Sequence, residues 1–217
     1  MTKYNIDLSH WKLTLPDSTP PTEISPANLV GGWTHPEWFT KGSDGELIFS
    51  TPTNGGHTLG SSYPRTELRE LIDGKSDRVN WKLTGTNILS ATCAINKVPP
   101  SKKVIIGQIH GKDGTSLPLF KMVYNAGKLV AEFKKSPSDS TDIKLDFGKY
   151  SLSKQIKYEI KVVDLTATIT VNGKSKTVQL VPEWNPCTFY FKAGCYCIDN
   201  VGSKQAKVTF YELSASH

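Results

Sequence analysis

Most of this chain consists of short runs in which apolar and polar residues alternate, closed off by Gly, Pro, Asn, Asp or Ser. Alternation with period two marks a half-buried strand, because successive side chains leave opposite faces. It predicts strands over 10–15, 45–51, 64–72, 87–97, 103–110, 119–125, 128–134, 157–163, 166–172, 175–181, 188–198 and 206–213. Asn172-Gly173, between two β-rich runs, is a strong hairpin signal, and Asn125-Ala126-Gly127 is a weaker one. Helical character is confined to 25–30, where Ser25 stands at a cap position ahead of Pro26 and Gly31-Gly32 ends the run. About a dozen strands, with no fixed repeat and no linker, predict an all-β fold: a two-sheet sandwich or jelly roll in one domain over 1–217. The loops at 52–63 and 134–142 are long enough to lie over a groove.

Three strands carry polar residues that periodicity gathers onto one face. In 64–72, Arg65, Glu67 and Arg69 share a face while Thr66 and Leu68 look the other way. In 103–110, an apolar start gives way to Gln108 and His110 on one side and Ile109 on the other. In 188–198, Tyr190, Lys192, Gly194 and Tyr196 oppose Phe189, Phe191, Ala193, Cys195 and Cys197. The second set reads as core; in the first, Gly194 leaves room for close approach. Each face alone also fits a solvated charge ladder, a hydrogen-bonded histidine or an outer row of amphipathic tyrosines. Together they hold Arg, Gln, His, Lys and Tyr with a single carboxylate. A glycosidase needs two carboxylates across its bond, and Glu67 and Glu70 fall on opposite faces. No Gly-x-Ser-x-Gly elbow is present for a serine hydrolase. The inventory suits an anionic substrate and proton abstraction beside a carboxylate.

Composition narrows the field further. The 217 residues are 10% aromatic and 21% charged, which argues against disorder, and no apolar run reaches the ~20 residues of a membrane span. Lys+Arg 26 against Asp+Glu 20 gives a net charge of +6, favouring polyanions in general. No basic helix, zinc-finger spacing or RNP-like signature points to nucleic acid. A monomer with neither nucleic-acid nor membrane partner is expected. Cys93, Cys187, Cys195 and Cys197 lack the spacing of a zinc site; they read as small core residues, with one long-range disulfide left open. No acidic calcium loop is present, so no metal or cofactor is expected. Residues 1–20 contain no apolar run long enough for a signal-peptide core.

Four blocks carry a resemblance: Asp7-Leu-Ser-His-Trp-Lys-Leu-Thr-Leu-Pro16, Gly60-Ser-Ser-Tyr-Pro-Arg-Thr-Glu-Leu-Arg-Glu70, Gln108-Ile-His110 and Tyr190-Phe-Lys-Ala-Gly-Cys-Tyr196. With these the chain, from about Asp7 to Leu213, resembles the alginate lyases of polysaccharide lyase family 7. The resemblance implies a β-jelly roll of two curved antiparallel sheets with substrate lying across the concave one. It implies β-elimination at a 4-linked uronate, leaving a C4–C5 double bond. Arg65, Gln108 and His110 would gather around the C5 carboxylate, and Tyr196 would be the catalytic phenol. Glu67, Arg69, Tyr190 and Lys192 would serve substrate binding. For mannuronate Tyr196 would act as both base and acid; for guluronate His110 would be the base. Localisation would be secreted or periplasmic. Cys197-Ile198 depart from the family's usual small or polar residue followed by Gln. Two rivals stand beside this reading: a lyase for another uronan such as glucuronan, and a non-catalytic acidic-polysaccharide-binding module.

Overall fold

The computed structural model describes residues 3–217. In chain order the elements are β1 (Trp11–Thr14), β2 (Glu23–Ile24), α1 (Pro26–Val30), β3 (Phe39–Lys41), β4 (Leu47–Pro52), β5 (Arg65–Glu70), β6 (Thr86–Lys97) and β7 (Lys103–Gly111). There follow β8 (Pro118–Asn125), β9 (Lys128–Lys134), β10 (Asp142–Lys149), β11 (Gln155–Val163), β12 (Thr166–Val171), β13 (Lys174–Gln179), β14 (Phe189–Cys197) and β15 (Gln205–Ser216). They form two antiparallel sheets. The eight-stranded sheet runs β10-β9-β8-β7-β14-β5-β1-β2 and the seven-stranded sheet runs β13-β12-β11-β6-β15-β4-β3. No helix among the described residues is long and apolar enough to cross a membrane.

Side-chain alternation explains the layering. Leu68, Ile109, Phe120, Phe133, Phe189 and Phe191 of the larger sheet, and Phe49, Leu89, Ile160, Ile169 and Phe210 of the smaller, are all fully buried. They interdigitate as one core, the usual product of two sheets packed face to face. Phe39, Phe49 and Phe210 meet edge-on, with ring centroids 5.1 and 5.4 Å apart. All four cysteines are free thiols within the buried interior.

Both hairpin signals mark real turns. Asn172-Gly173 and Ala126-Gly127 each place two successive residues at positive φ, as a two-residue turn between right-twisted strands requires. Ser25 caps α1, its side chain accepting from the Asn28 amide at 3.3 Å. Three strands lie outside the expected set: β2, β3 and β10. The loop expected over 134–142 lies between β9, which ends at Lys134, and β10, which begins at Asp142.

The sheet is locally irregular where it matters. Pairing of β14 with β7 shifts register between Ala193 and Tyr196, while pairing with β5 stays in step. Gly194 lies at the shift with φ +153°, and a Cβ there would come within 2.6 Å of the Thr66 carbonyl oxygen and 2.7 Å of Glu67 Cα. No side chain fits. This bulge-like step is what lets β14 seat between two neighbours whose registers differ by one residue.

Candidate active site

The three polar faces inferred from periodicity meet on the outer side of the eight-stranded sheet, at its centre. The strand order β7-β14-β5 makes them neighbours. Tyr196 sits opposite Arg65, Lys192 opposite both Arg69 and Gln108, and Tyr190 opposite His110. On an open face these side chains would be wet. Instead Arg65, Arg69, Gln108 and Lys192 are each at most 6% exposed, so the face is recessed.

Register extends this line. Lys12, Arg69, Lys192, Gln108, Lys121, Glu132 and Lys144 stand directly opposite one another in turn across β1, β5, β14, β7, β8, β9 and β10. At a spacing of ~4.8 Å per strand the row spans roughly 29 Å. Its polarity is mixed but mainly cationic, and its outer lysines are held by carboxylates, Lys144 by Glu132 at 3.6 Å. Lys12 pairs with Glu23 at 2.6 Å, and Lys121 with Glu132 at 2.9 Å and Asp142 at 3.5 Å.

Glu67 organises the centre. It is fully buried, beside Lys192, 3.7 Å from Arg65, and accepts from Gln108 Nε2 at 2.5 Å. Burial by itself would raise its pKa; the attraction of Lys192 and Arg65 and the hydrogen bonds from Lys192 and Gln108 outweigh that and hold the carboxyl below its ordinary range. With no exposed edge, Glu67 lies beneath the groove as a counter-ion rather than on its wall. Burial in turn lowers Lys192 to about 8, opposed by Glu67 and aided by Arg65.

The two arginines differ in what they leave free. Arg69 donates to the Glu70 carbonyl at 2.7 Å, and to the Asp77 carbonyl and Asn80 Oδ1 at 2.9 Å each, with its guanidinium 4.1 Å over the Tyr190 ring. Its donors are committed to the loop after β5. Among the described residues the Arg65 guanidinium donates no hydrogen bond; it is held by the Tyr196 ring, 3.8 Å away, and by Glu67. Arg65 therefore has donors to offer a carboxylate in bidentate geometry.

His110 and the tyrosines complete the set. His110 Nδ1 lies 2.8 Å from the Gly111 carbonyl, which can only accept, so Nδ1 carries the proton and Nε2 keeps its lone pair. Burial, then repulsion from Lys192, pulls His110 down to about 4, leaving the ring neutral at ordinary pH. The Tyr190 hydroxyl oxygen is 3.1 Å from the same Nδ1. Burial pushes that phenol up to about 12, so it stays protonated. The Tyr196 hydroxyl is half-buried and 2.8 Å from Ser61 Oγ, which also accepts from the Tyr63 amide at 3.0 Å. Ser61 belongs to the long loop noted at 52–63, and periodicity has no means of singling it out there. Asn80 and Lys121 were likewise invisible as parts of the site, since each is defined by a partner distant in sequence. Ile198 is half-buried, its amide donating to the Lys103 carbonyl at 3.2 Å.

A family model described as alginate lyase matches residues 6–217, nearly the whole chain. The chain belongs to the alginate lyases of polysaccharide lyase family 7. Solved structures of this family superpose closely. Alginate lyase A1-II′ is 40% identical with a TM-score of 0.93, covering 98% of this chain and 96% of that one. A variant of A1-II′ was solved in complex with a product, GGG, at 40% identity and TM-score 0.93, covering 98% and 97%. An alginate lyase from Pseudomonas aeruginosa is 35% identical with a TM-score of 0.89, covering 97% and 99%. Among curated proteins the comparison finds no match. Membership of the alginate lyase family agrees with the jelly-roll reading of the two sheets.

Proposed function

We propose that this chain is an alginate lyase that cleaves 4-linked polyuronate by β-elimination, attacking within the polymer and releasing unsaturated oligouronates. The observation that carries this reading is the pairing of Arg65, its donors free, with the Tyr196 phenol 3.8 Å away. The problem such a reaction poses is electrostatic. Removing H5 puts negative charge next to a carboxylate that is already an anion. Arg65, with Gln108 beside it, receives that carboxylate and strengthens its hold as the charge grows, so the transition state gains more than bound substrate. A base takes H5, its electron pair becomes the C4–C5 double bond, and the C4–O4 bond breaks as an acid delivers a proton to O4. Tyr196 is the acid, and for mannuronate also the base; neutral His110, with its free Nε2, is the base for guluronate. Glu67 and Arg69 act by positioning: the first fixes Lys192, Gln108 and Arg65, the second fixes Tyr190 and the 73–80 loop. Lys192 and Tyr190 face neighbouring uronates.

The charged row crosses β5 and β14 at Arg69 and Lys192, four residues along the same strands from the Arg65–Tyr196 pair, and continues over strands on both sides, which supports binding in the middle of a chain. The groove is complete within one chain, consistent with a monomer. Members of this family are usually extracellular or periplasmic, which supports a secreted or periplasmic enzyme.

Parallel incubation with polymannuronate, polyguluronate and glucuronan, reading ultraviolet-absorbing unsaturated ends, tests the proposal. Ends are expected from the first two. Ends from glucuronan alone would assign a different uronan, and binding without any ends would reduce the protein to a binding module.

The His110 geometry makes a separate prediction on polyguluronate. An ordinary histidine would take up a proton near pH 6.5 and lose its basicity. Here the neutral ring persists down to about 4, so kcat/KM, which reports the free enzyme, is expected to hold through pH 6 and fall only as pH approaches about 4. A low-pH limb centred near 6.5 would exclude this environment for the base.

A further inference from the structure

The other face of the molecule carries a groove that the elimination chemistry does not use. It lies on the outer side of the seven-stranded sheet with a volume of about 640 Å³, walled by Trp38, Asn54, Lys97, Lys204, Gln205 and Lys207. The register accounts for its position. Leu47, Phe49, Ala206, Val208 and Phe210 point into the core, so Ile48, Ser50, Gln205 and Lys207 of the same strands point outward.

Two features separate this groove from an ordinary solvated face. Lys97 and Lys207 are direct cross-strand partners, and like charges placed opposite one another destabilise a sheet. Among the described residues, none of Lys97, Lys204 and Lys207 has a carboxylate within 4.0 Å. On the catalytic face, by contrast, Lys12, Lys121 and Lys192 are each paired. Beside the uncompensated lysines stands an aromatic platform. Trp38 is half-buried and held by His35, stacked on it at 4.0 Å with the ring planes 4° apart. Lys204 is also on fixed backbone: its amide donates to Thr53 Oγ1 at 3.0 Å, and its carbonyl accepts from the Thr53 amide at 2.8 Å. Glu37 is the one carboxylate on the wall, against three lysines.

We infer that this groove is a second, non-catalytic binding site for an anionic polysaccharide, the polyuronate itself. An indole accepts the C–H face of a pyranose ring, and ammonium groups spaced along the wall accept the carboxylates of successive uronates. An anion seated between Lys97 and Lys207 removes the repulsion that the empty sheet tolerates. Because the site lies on the opposite face from Arg65 and Tyr196, it does not compete with catalysis. A polymer held there keeps the enzyme at high effective concentration near further cleavable stretches. The inference rests on the reading of the chain as a polyuronate lyase.

Two variants test it, each assayed on long polymannuronate and on a uronate tetramer too short to reach both faces. Lys97→Glu converts the like-charged pair into an ion pair with Lys207, which protects the fold while removing the groove's cationic character. Trp38→Ala removes the platform without changing charge. Losing one or two exposed ion pairs corresponds to roughly a threefold to tenfold change in affinity. Lys97→Glu is therefore expected to raise KM on the polymer about that much, and Trp38→Ala, which loses an aromatic contact, to raise it roughly twofold to tenfold, with kcat and tetramer kcat/KM within about twofold of wild type for both. Unchanged polymer KM in both variants overturns the site. So does an equal loss on tetramer and polymer, which would locate the effect in the catalytic groove. A response to Lys97→Glu without one to Trp38→Ala would reduce it to long-range charge and also overturn it. If wild type cleaves neither substrate, it is the lyase reading that fails instead.

Discussion

Tyr196→Phe is expected to lower kcat by about 10²- to 10⁴-fold, the usual worth of a positioned proton donor or acceptor, while oligouronate binding survives. The substitution is a clean one in this setting. Phenylalanine keeps the ring against which the Arg65 guanidinium packs at 3.8 Å, so Arg65 stays in place. What disappears is the hydroxyl 2.8 Å from Ser61 Oγ. Ser61 still accepts from the Tyr63 amide, so no buried polar atom is left without a partner. Stability should hardly change, and calorimetric titration with a uronate oligomer should give an affinity close to wild type. A turnover rate near wild type would remove Tyr196 from the chemistry and leave it as packing for Arg65.

Glu67→Ala is expected to be the most damaging substitution for the fold. Removing one member of a buried ionic cluster costs about 3–5 kcal/mol, because the remaining charges have neither water nor counter-ion. For a chain of this size that corresponds to roughly 6–20 °C in Tm. Lys192, already drawn down to about 8, can shed its proton and escape part of the penalty. Arg65, 7% exposed at its side chain, cannot, and carries the residual cost. The pH dependence follows from the depressed carboxyl. Its stabilisation is fully present above the ordinary carboxylate value of 4.5 and disappears as pH falls through the lower folded value. Wild type should therefore lose stability on acidification faster than the variant. Thermal unfolding of both proteins across the acid range measures this. A Tm for Glu67→Ala within a degree or two of wild type would mean that the cations need no counter-ion, contrary to the geometry.

Much of this was legible in the alternation of residues. Parity alone put Arg65 with Glu67 and Arg69, and Tyr190 with Lys192 and Tyr196, because a strand leaves a side chain only two directions. Parity says nothing about which strands are neighbours. The adjacency β7-β14-β5 pairs strands that lie 78 or more residues apart in the chain, which no local pattern encodes. It also does not distinguish donors that are free from donors that are spent. Arg65 and Arg69 look alike in sequence, yet one faces an open groove and the other is tied to Asp77 and Asn80. The same limit applies to Glu67, whose depth decides its role. The strands outside the expected set have simpler causes. β2 and β3 are two and three residues long, too short to show a period. In β10 the alternation of Ile143, Leu145 and Phe147 was present, but Lys and Asp between them at a sheet edge gave it the look of a polar loop.

The crosswise arrangement of the seven-residue row has a consequence for how such an enzyme can change. Each strand contributes one rung, and Arg65 and Tyr196 stand four residues along β5 and β14 from the rungs of those strands. Lys144 belongs to the outermost strand of its sheet, whose loss would shorten the ladder at one end and leave the chemistry undisturbed. The length of the charged row is therefore set by strand count, and the candidate site by three central strands, so either can be altered without rebuilding the other.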